Sequence, residues 1–333
     1  KPLASDAYGV RRILSANETA LAKNLKVGVG LQRHHARHYQ ECIDALHQGA
    51  IGDPLVLRCY WETGYPAKTP FPRDGLTELE FQVRNWYFFD WLSGDHICEQ
   101  HIHNLDVCNW IMQAHPVEAH GSGGRQVRTG PEFGNIFDHH AVEFTYADGT
   151  KLFSSCRQIP GCRKQVAEAA HGTRGSVELD NRTATIRRAD GSEQKFGRER
   201  GRQLYSPYQV EFDALFEAIR QDKPHNEVEY GAHSTMTAIL GRLATYSGKL
   251  VRWDEAFNSE ERLTMDAASW DEAPRERPDE HGIYRIPTPG VTKNATSASA
   301  SKGNASSACT NTSSAIHDAC SNSAPPPASS LNV

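Results

Sequence analysis

The chain has 333 residues, 38% hydrophobic and 23% charged, enough to build one large folded domain or two smaller ones. No apolar run approaches the roughly 18 residues of a membrane-spanning helix, and no signal-type hydrophobic region opens the chain. A formal charge of −5 lacks the basic footprint of a dedicated nucleic-acid binder. The eight cysteines never form C-x-x-C, which suggests neither a zinc knuckle nor a disulfide scaffold, and free thiols are expected.

The chain opens on Lys1 and reads within a few residues as a helix, so a removed leader or a fragment is expected. Residues 6–23 carry Val10, Ile13, Leu14 and Leu21 at helical spacing, with Ser5 as N-cap. Residues 26–31 form a short apolar run that fits a buried strand. Residues 37–50 read as an amphipathic helix on Cys42, Ile43 and Leu46, stopped by Gly52-Asp53-Pro54. Strand patterns then dominate: 55–61, 118–127, 138–146 and 151–158, followed by shorter runs at 166–170, 176–179 and 184–188. One helix, 95–113, interrupts the series, and two more, 207–221 and 230–247, close it. Strands followed by helices predict an α+β fold, a mainly antiparallel sheet with helices on one face. Folding is expected to end soon after Phe257, with a loose connector at 267–289. From Thr292 onward, 11 Ser and 9 Ala with no aromatic residue predict disorder.

Neither G-x-G-x-x-G nor the phosphate loop G-x-x-x-x-G-K-[ST] occurs, so no phosphate cradle is encoded in these residues. Seven of the sixteen histidines lie between His96 and His140. On one continuous helix Asp95, Glu99, His103 and Asp106 fall near one face, and a carboxylate one turn from an imidazole can orient a general base. An ordinary polar helix face carries the same pattern. A metal site of Glu99, His101 and His103 is weighed and set aside, since H-x-H separates its side chains by about 200° on a helix; no metal is expected.

The ordered set Lys1-Pro2, residues 27–33, the helix from Gly94 to Trp110, His171-Gly-Thr-Arg-Gly and Trp253-Asp-Glu-Ala256 resembles the Gfo/Idh/MocA oxidoreductases. The likeness is greatest to bacterial members with His-rich catalytic helices. It implies residues 1–33 as the end of a Rossmann-type dinucleotide-binding domain lacking roughly its first 100 residues. Residues 34–262 would be the sheet domain, and 263–333 connector and tail. It further implies an NAD- or NADP-dependent enzyme moving hydride to or from a sugar- or polyol-like alcohol, the fragment itself being inactive.

Carried over by position, Lys1, Glu99 and His103 would be catalytic, with His103 the base and Glu99 standing where the family often has Asp. Lys1, Pro2, Gln32 and Arg33 would meet the cofactor. Arg84, Trp86, Tyr87 and Asp106 would meet substrate, aromatic faces with polar hooks suiting a sugar ring. Arg84, Trp86 and Tyr87 could equally fill core under a loop, and Asp106 could serve a salt bridge. A homo-oligomer through the open sheet face is implied too. An NAD-dependent glycoside hydrolase and a non-catalytic sugar-binding or oligomerisation domain are the alternatives. The compartment, cytoplasm or periplasm, is left open.

Overall fold

The computed structural model describes residues 1–197 and 206–292. Helix α1 (Ala7–Ala22) starts at Asp6 rather than Ser5: the Asp6 carboxylate accepts from the Gly9 amide at 2.7 Å, while the Ser5 hydroxyl is spent on the Trp91 carbonyl. The run after it is extended but is no sheet strand. Val27 makes a single bridge to Asn226, and the Val29 amide is taken by the Glu227 carboxylate. A 3₁₀ turn, Gln32–His35, leads into α2 (Arg37–His47), shorter than its pattern because Gly49 and Gly52 adopt positive φ.

Strand β1 (Pro54–Thr63) follows, then three short helices, α3 (Glu78–Arg84), α4 (Asp90–Ser93) and α5 (His96–Glu99), and the longer α6 (Ile102–Met112). The rest of the sheet is β2 (Glu118–Gly124), β3 (His139–Thr145), β4 (Lys151–Gln158), β5 (Gln165–Gly172), β6 (Gly175–Asp180), β7 (Thr183–Arg188) and β8 (Glu193–Gly197). Helices α7 (Pro207–Gln221) and α8 (Val228–Ser247), the short β9 (Val251–Arg252) and α9 (Trp253–Phe257) complete it. The sheet order is β8-β7-β6-β5-β1-β4-β3-β2-β9, antiparallel throughout except where β1 runs parallel to β4. This is the expected α+β class with a large open sheet.

Alternation sorts the strand residues. Leu57, Cys59, Leu152, Cys156, Val142 and Phe144 are buried under α6 and α8, while Phe153 on the other face is 46% exposed. Helix α8 is buried on nearly every side, which explains its continuous small and apolar sequence. Among the described residues, no helix is long and apolar enough to cross a membrane.

Two further expectations change. Strand β2 stops at Gly124 because the Asp138 carboxylate claims the amides of Gln126 and Val127, both at 2.8 Å. Strand β8 and helix α3 had no clear periodicity. Folding continues past Phe257: Leu263 and Tyr284 are buried with Leu79, Phe81, Phe88, Phe89, Trp91 and Ile136 in a second apolar cluster. Finally, nearly all of the Ser- and Ala-rich tail lies outside the described residues. Five of the six described cysteines are buried free thiols, and the sixth, Cys162, is an exposed one.

Candidate active site

The approach to the site is a strained turn. Gly94, at φ +75°, ends α4, and a Cβ there would lie 2.7 Å from the Cys98 Cβ. Asp95 follows at φ 72°, ψ 164°, a region almost confined to glycine. The buried Asp95 carboxylate offsets that strain. It accepts from the His96 amide and Nδ1, from the Phe137 amide at 2.9 Å and from the Tyr246 hydroxyl at 2.6 Å. Burial opposes its charge, but the His140 and His96 imidazoles outweigh that and hold Asp95 well below the usual carboxylate range.

The single helix expected over 95–113 is broken between Glu99 and Ile102. The His101 amide reaches back five residues to the His96 carbonyl at 3.1 Å, a π-type step. The cause lies in the side chain: the His101 Nε2 is drawn into the core, 2.7 Å from the Ser154 hydroxyl and 3.6 Å from the Cys59 sulfur. Glu99 therefore ends one helix and His103 begins the next, so they are not stacked one turn apart on a common axis.

Lys1, Glu99 and His103 nonetheless converge. The Lys1 ammonium donates to Glu99 Oε1 at 3.2 Å, both side chains being largely buried at 12% and 13% exposure. The Gln100 amide donates to the other Glu99 oxygen. Burial pulls the Lys1 ammonium below its ordinary pKa, partly countered by Glu99. His103 is buried, its Nδ1 has no hydrogen-bond partner, and its ring stacks on Trp61 with centroids 6.0 Å apart. Burial first, then the positive charges of Lys1 and Arg33, hold its pKa well below 6.5, so the imidazole is neutral at pH 7. A neutral ring beside an ammonium is a proton acceptor next to a group that stabilises negative charge on oxygen.

Arg33 is committed to this support. Its guanidinium donates to the His103 carbonyl at 3.1 Å, pairs closely with Glu168 and reaches Asn181 at 3.3 Å. Glu168, fully buried on β5, also accepts from the Tyr39 hydroxyl at 2.9 Å and from Asn104. Burial lifts its carboxyl to about 7 in spite of Arg33 and these donors. Of the other residues expected near a cofactor, Pro2 is half-buried beside Lys1. Gln32 donates to the Tyr208 hydroxyl at 3.1 Å and keeps a buried, unpaired Oε1.

The residues expected to meet substrate divide. Tyr87 is buried, its hydroxyl receives the Gln158 amide at 2.7 Å, and it feels the charge of Glu99. Trp86 meets Tyr87 edge-on and carries Lys68 over its face. Arg84 is turned to Glu80 at 2.7 Å and to the Phe71 ring. Asp106 accepts from His34 and Ser234, both at 2.9 Å, in a separate cleft where His34 lies stacked between Trp110 and Tyr230.

Glu168 escapes the sequence reading, and Trp61 enters it only as a strand residue whose face is not assigned. Alternation with the apolar Leu57 and Cys59 was the available signal for Trp61. A glutamate between Ala167 and Ala169 in an otherwise small, apolar strand was the signal for Glu168.

The GFO/IDH/MocA C-terminal domain model matches residues 39–178. An inositol 2-dehydrogenase from Azotobacter vinelandii is 28% identical over 152 residues, and one from Pseudomonas fluorescens 31%. In each case the match covers 46% of this chain and 38% of the relative, so the chain spans well under half of those proteins' length. Among solved structures, levoglucosan dehydrogenase in complex with NADH superposes with a TM-score of 0.61 at 14% identity, covering 76% of this chain and 72% of that one. The aldose-aldose oxidoreductase of Caulobacter crescentus complexed with glycerol gives 0.58 at 18% identity, covering 76% and 70%. At these identities the structural likeness speaks for the fold.

Proposed function

This chain belongs to the Gfo/Idh/MocA family of oxidoreductases, and from that premise we propose that Lys1, Glu99 and His103 form the proton-transfer end of an NAD(P)-dependent dehydrogenase acting on a sugar- or polyol-type secondary alcohol. The observation that carries the reading is the buried, neutral His103 with an unpartnered ring nitrogen, set among Lys1, Glu99 and Trp61. When bound, the nicotinamide supplies the hydride chemistry.

The residues present fit the reacting end of such a cofactor and not its pyrophosphate, since no glycine cradle occurs among them. In this reading Gln32 offers the polar atom still free for the cofactor, whereas Arg33 is held by Glu168. His103 accepts the hydroxyl proton. Lys1 donates to the same oxygen and stabilises the charge it develops, and Glu99 keeps the ammonium aimed. Trp61 fixes the imidazole plane and offers an aromatic face of the kind that suits a carbohydrate C–H face.

Turnover is tested on the product of the complete reading frame with NAD⁺ or NADP⁺ and a panel of myo-inositol, aldoses and anhydrosugars, following absorbance of the reduced nicotinamide. The expected result is reduction that falls by about 10²-fold or more in His103→Asn. Turnover unaffected by that substitution overturns the assignment.

A further inference from the structure

Behind the Lys1 site a second group of side chains has no part in the reading above. His35 ends the 3₁₀ turn, Glu211 lies in the first turns of α7, and His225 and Glu227 precede α8. Three segments far apart in sequence thus deliver two imidazoles and two carboxylates to one point. The His35 Nε2 lies 2.7 Å from Glu227 Oε1, and the His225 Nε2 lies 3.6 Å from the same oxygen. Ligand atoms of His35, Glu211 and Glu227 all fall within 4.8 Å of one another.

Glu211 and Glu227 are 7% and 5% exposed. The His225 Nε2 is buried with no hydrogen-bond partner. Two buried carboxylates this close repel each other. A divalent cation removes that conflict and gives the unpartnered imidazole nitrogen a bond.

We propose that His35, Glu211, His225 and Glu227 form a binding site for a borderline divalent cation of the Zn²⁺ or Co²⁺ class. Mixed imidazole and carboxylate donors, with no thiolate and few hard oxygens, match that class better than Ca²⁺ or Mg²⁺. The cation ties the 3₁₀ turn to α7 and to the start of α8. Its effect reaches the Lys1 site through one residue, Val29. Glu227 Oε2 takes the Val29 amide at 2.8 Å, and the Val29 carbonyl receives the Lys1 backbone nitrogen at 3.1 Å. The other His/Asp group, Asp95 with His96 and His140, is a poorer host, because two hydrogen-bond donors already fill each Asp95 oxygen, where each Glu227 oxygen meets one.

The chain is dialysed against EDTA and then titrated with Zn²⁺ by calorimetry and with Co²⁺ by visible absorption. One site per chain, cobalt d–d bands and a higher melting temperature with metal are expected. Affinity should fall more than about tenfold in Glu211→Gln and in His225→Ala, and stay unchanged in His47→Ala, a residue outside the group. Circular dichroism in EDTA confirms that the variants fold. No binding by the wild type, or binding that survives both substitutions in folded protein, overturns the proposal. Neither outcome bears on the dehydrogenase reading, which rests on His103.

Discussion

Arg33 and Glu168 offer the sharpest test of how the candidate site is held. Replacing Glu168 by Ala removes the acceptor of three donors at once: the Arg33 guanidinium, the Tyr39 hydroxyl and the Asn104 amide. Arg33 keeps only the His103 carbonyl and the more distant Asn181, yet its side chain is 4% exposed and cannot turn to water. Breaking a buried pair by deleting one partner costs about 3–5 kcal/mol. Two further buried donors left without an acceptor add to this, so a loss of about 4 kcal/mol or more is expected. Replacing both partners by apolar groups, Arg33→Met with Glu168→Leu, leaves no orphaned charge and should cost less than the single change, about 2 kcal/mol or below. Equilibrium urea denaturation followed by tryptophan fluorescence measures both. A loss below about 1 kcal/mol in Glu168→Ala, or a double variant as unstable as the sum of the singles, would refute the reasoning.

Four other outcomes follow from the same coordinates. His96 is fully buried with its pKa lowered to about 4 by burial, against the pull of Asp95. Below pH 6.5 the unfolded chain takes up a proton there that the native chain refuses, so stability should drop between pH 6.5 and 4 by about 3 kcal/mol from this group alone; urea midpoints that stay flat across that window contradict it. Imidazole NMR should show His103 neutral from pH 8 down to pH 6, and a midpoint near 6.5 would mean the ring is solvated. Burial pushes the thiols of Cys42 and Cys98 up to about 12, so alkylation mapped by mass spectrometry should mark Cys162 in the native chain and Cys42, Cys59, Cys98, Cys108 and Cys156 only after denaturation. Titrating NADH into the 333-residue chain should give no fluorescence change, whereas tight stoichiometric binding would show that phosphate contacts come from residues other than a glycine loop.

Much of the fold was legible because burial writes itself into period. The strand over 151–158 and the helix over 207–221 match their patterns residue for residue; the strand alternates against one covered face, whereas the apolar stripe of the helix, Phe212, Phe216 and Ile219, stays exposed. Two of the misses share one cause. Where a side chain takes over a backbone amide, local pattern loses its authority: Glu227 claims Val29 and stops a strand from forming, and Asp138 claims Gln126 and Val127 and ends another early. Both partners are distant in sequence or chosen by tertiary packing, so no window of residues reveals them.

The same cause governs the site. The i, i+4 relation of Glu99 to His103 suggested a shared helix face, yet the pairing that forms is between Glu99 and Lys1, 98 positions away. What breaks the helix is His101, a residue whose pattern carried no weight, because its imidazole finds Ser154 on β4 and the backbone lengthens its step to let it reach. The break turns His103 toward Trp61 on β1, where the ring is stacked, desolvated and kept neutral between Lys1 and Arg33. The sequence could name the imidazole but not its protonation state, because that state is set first by burial and then by two cations 70 and 102 positions upstream, one of them itself held in place by a glutamate in the middle of a strand.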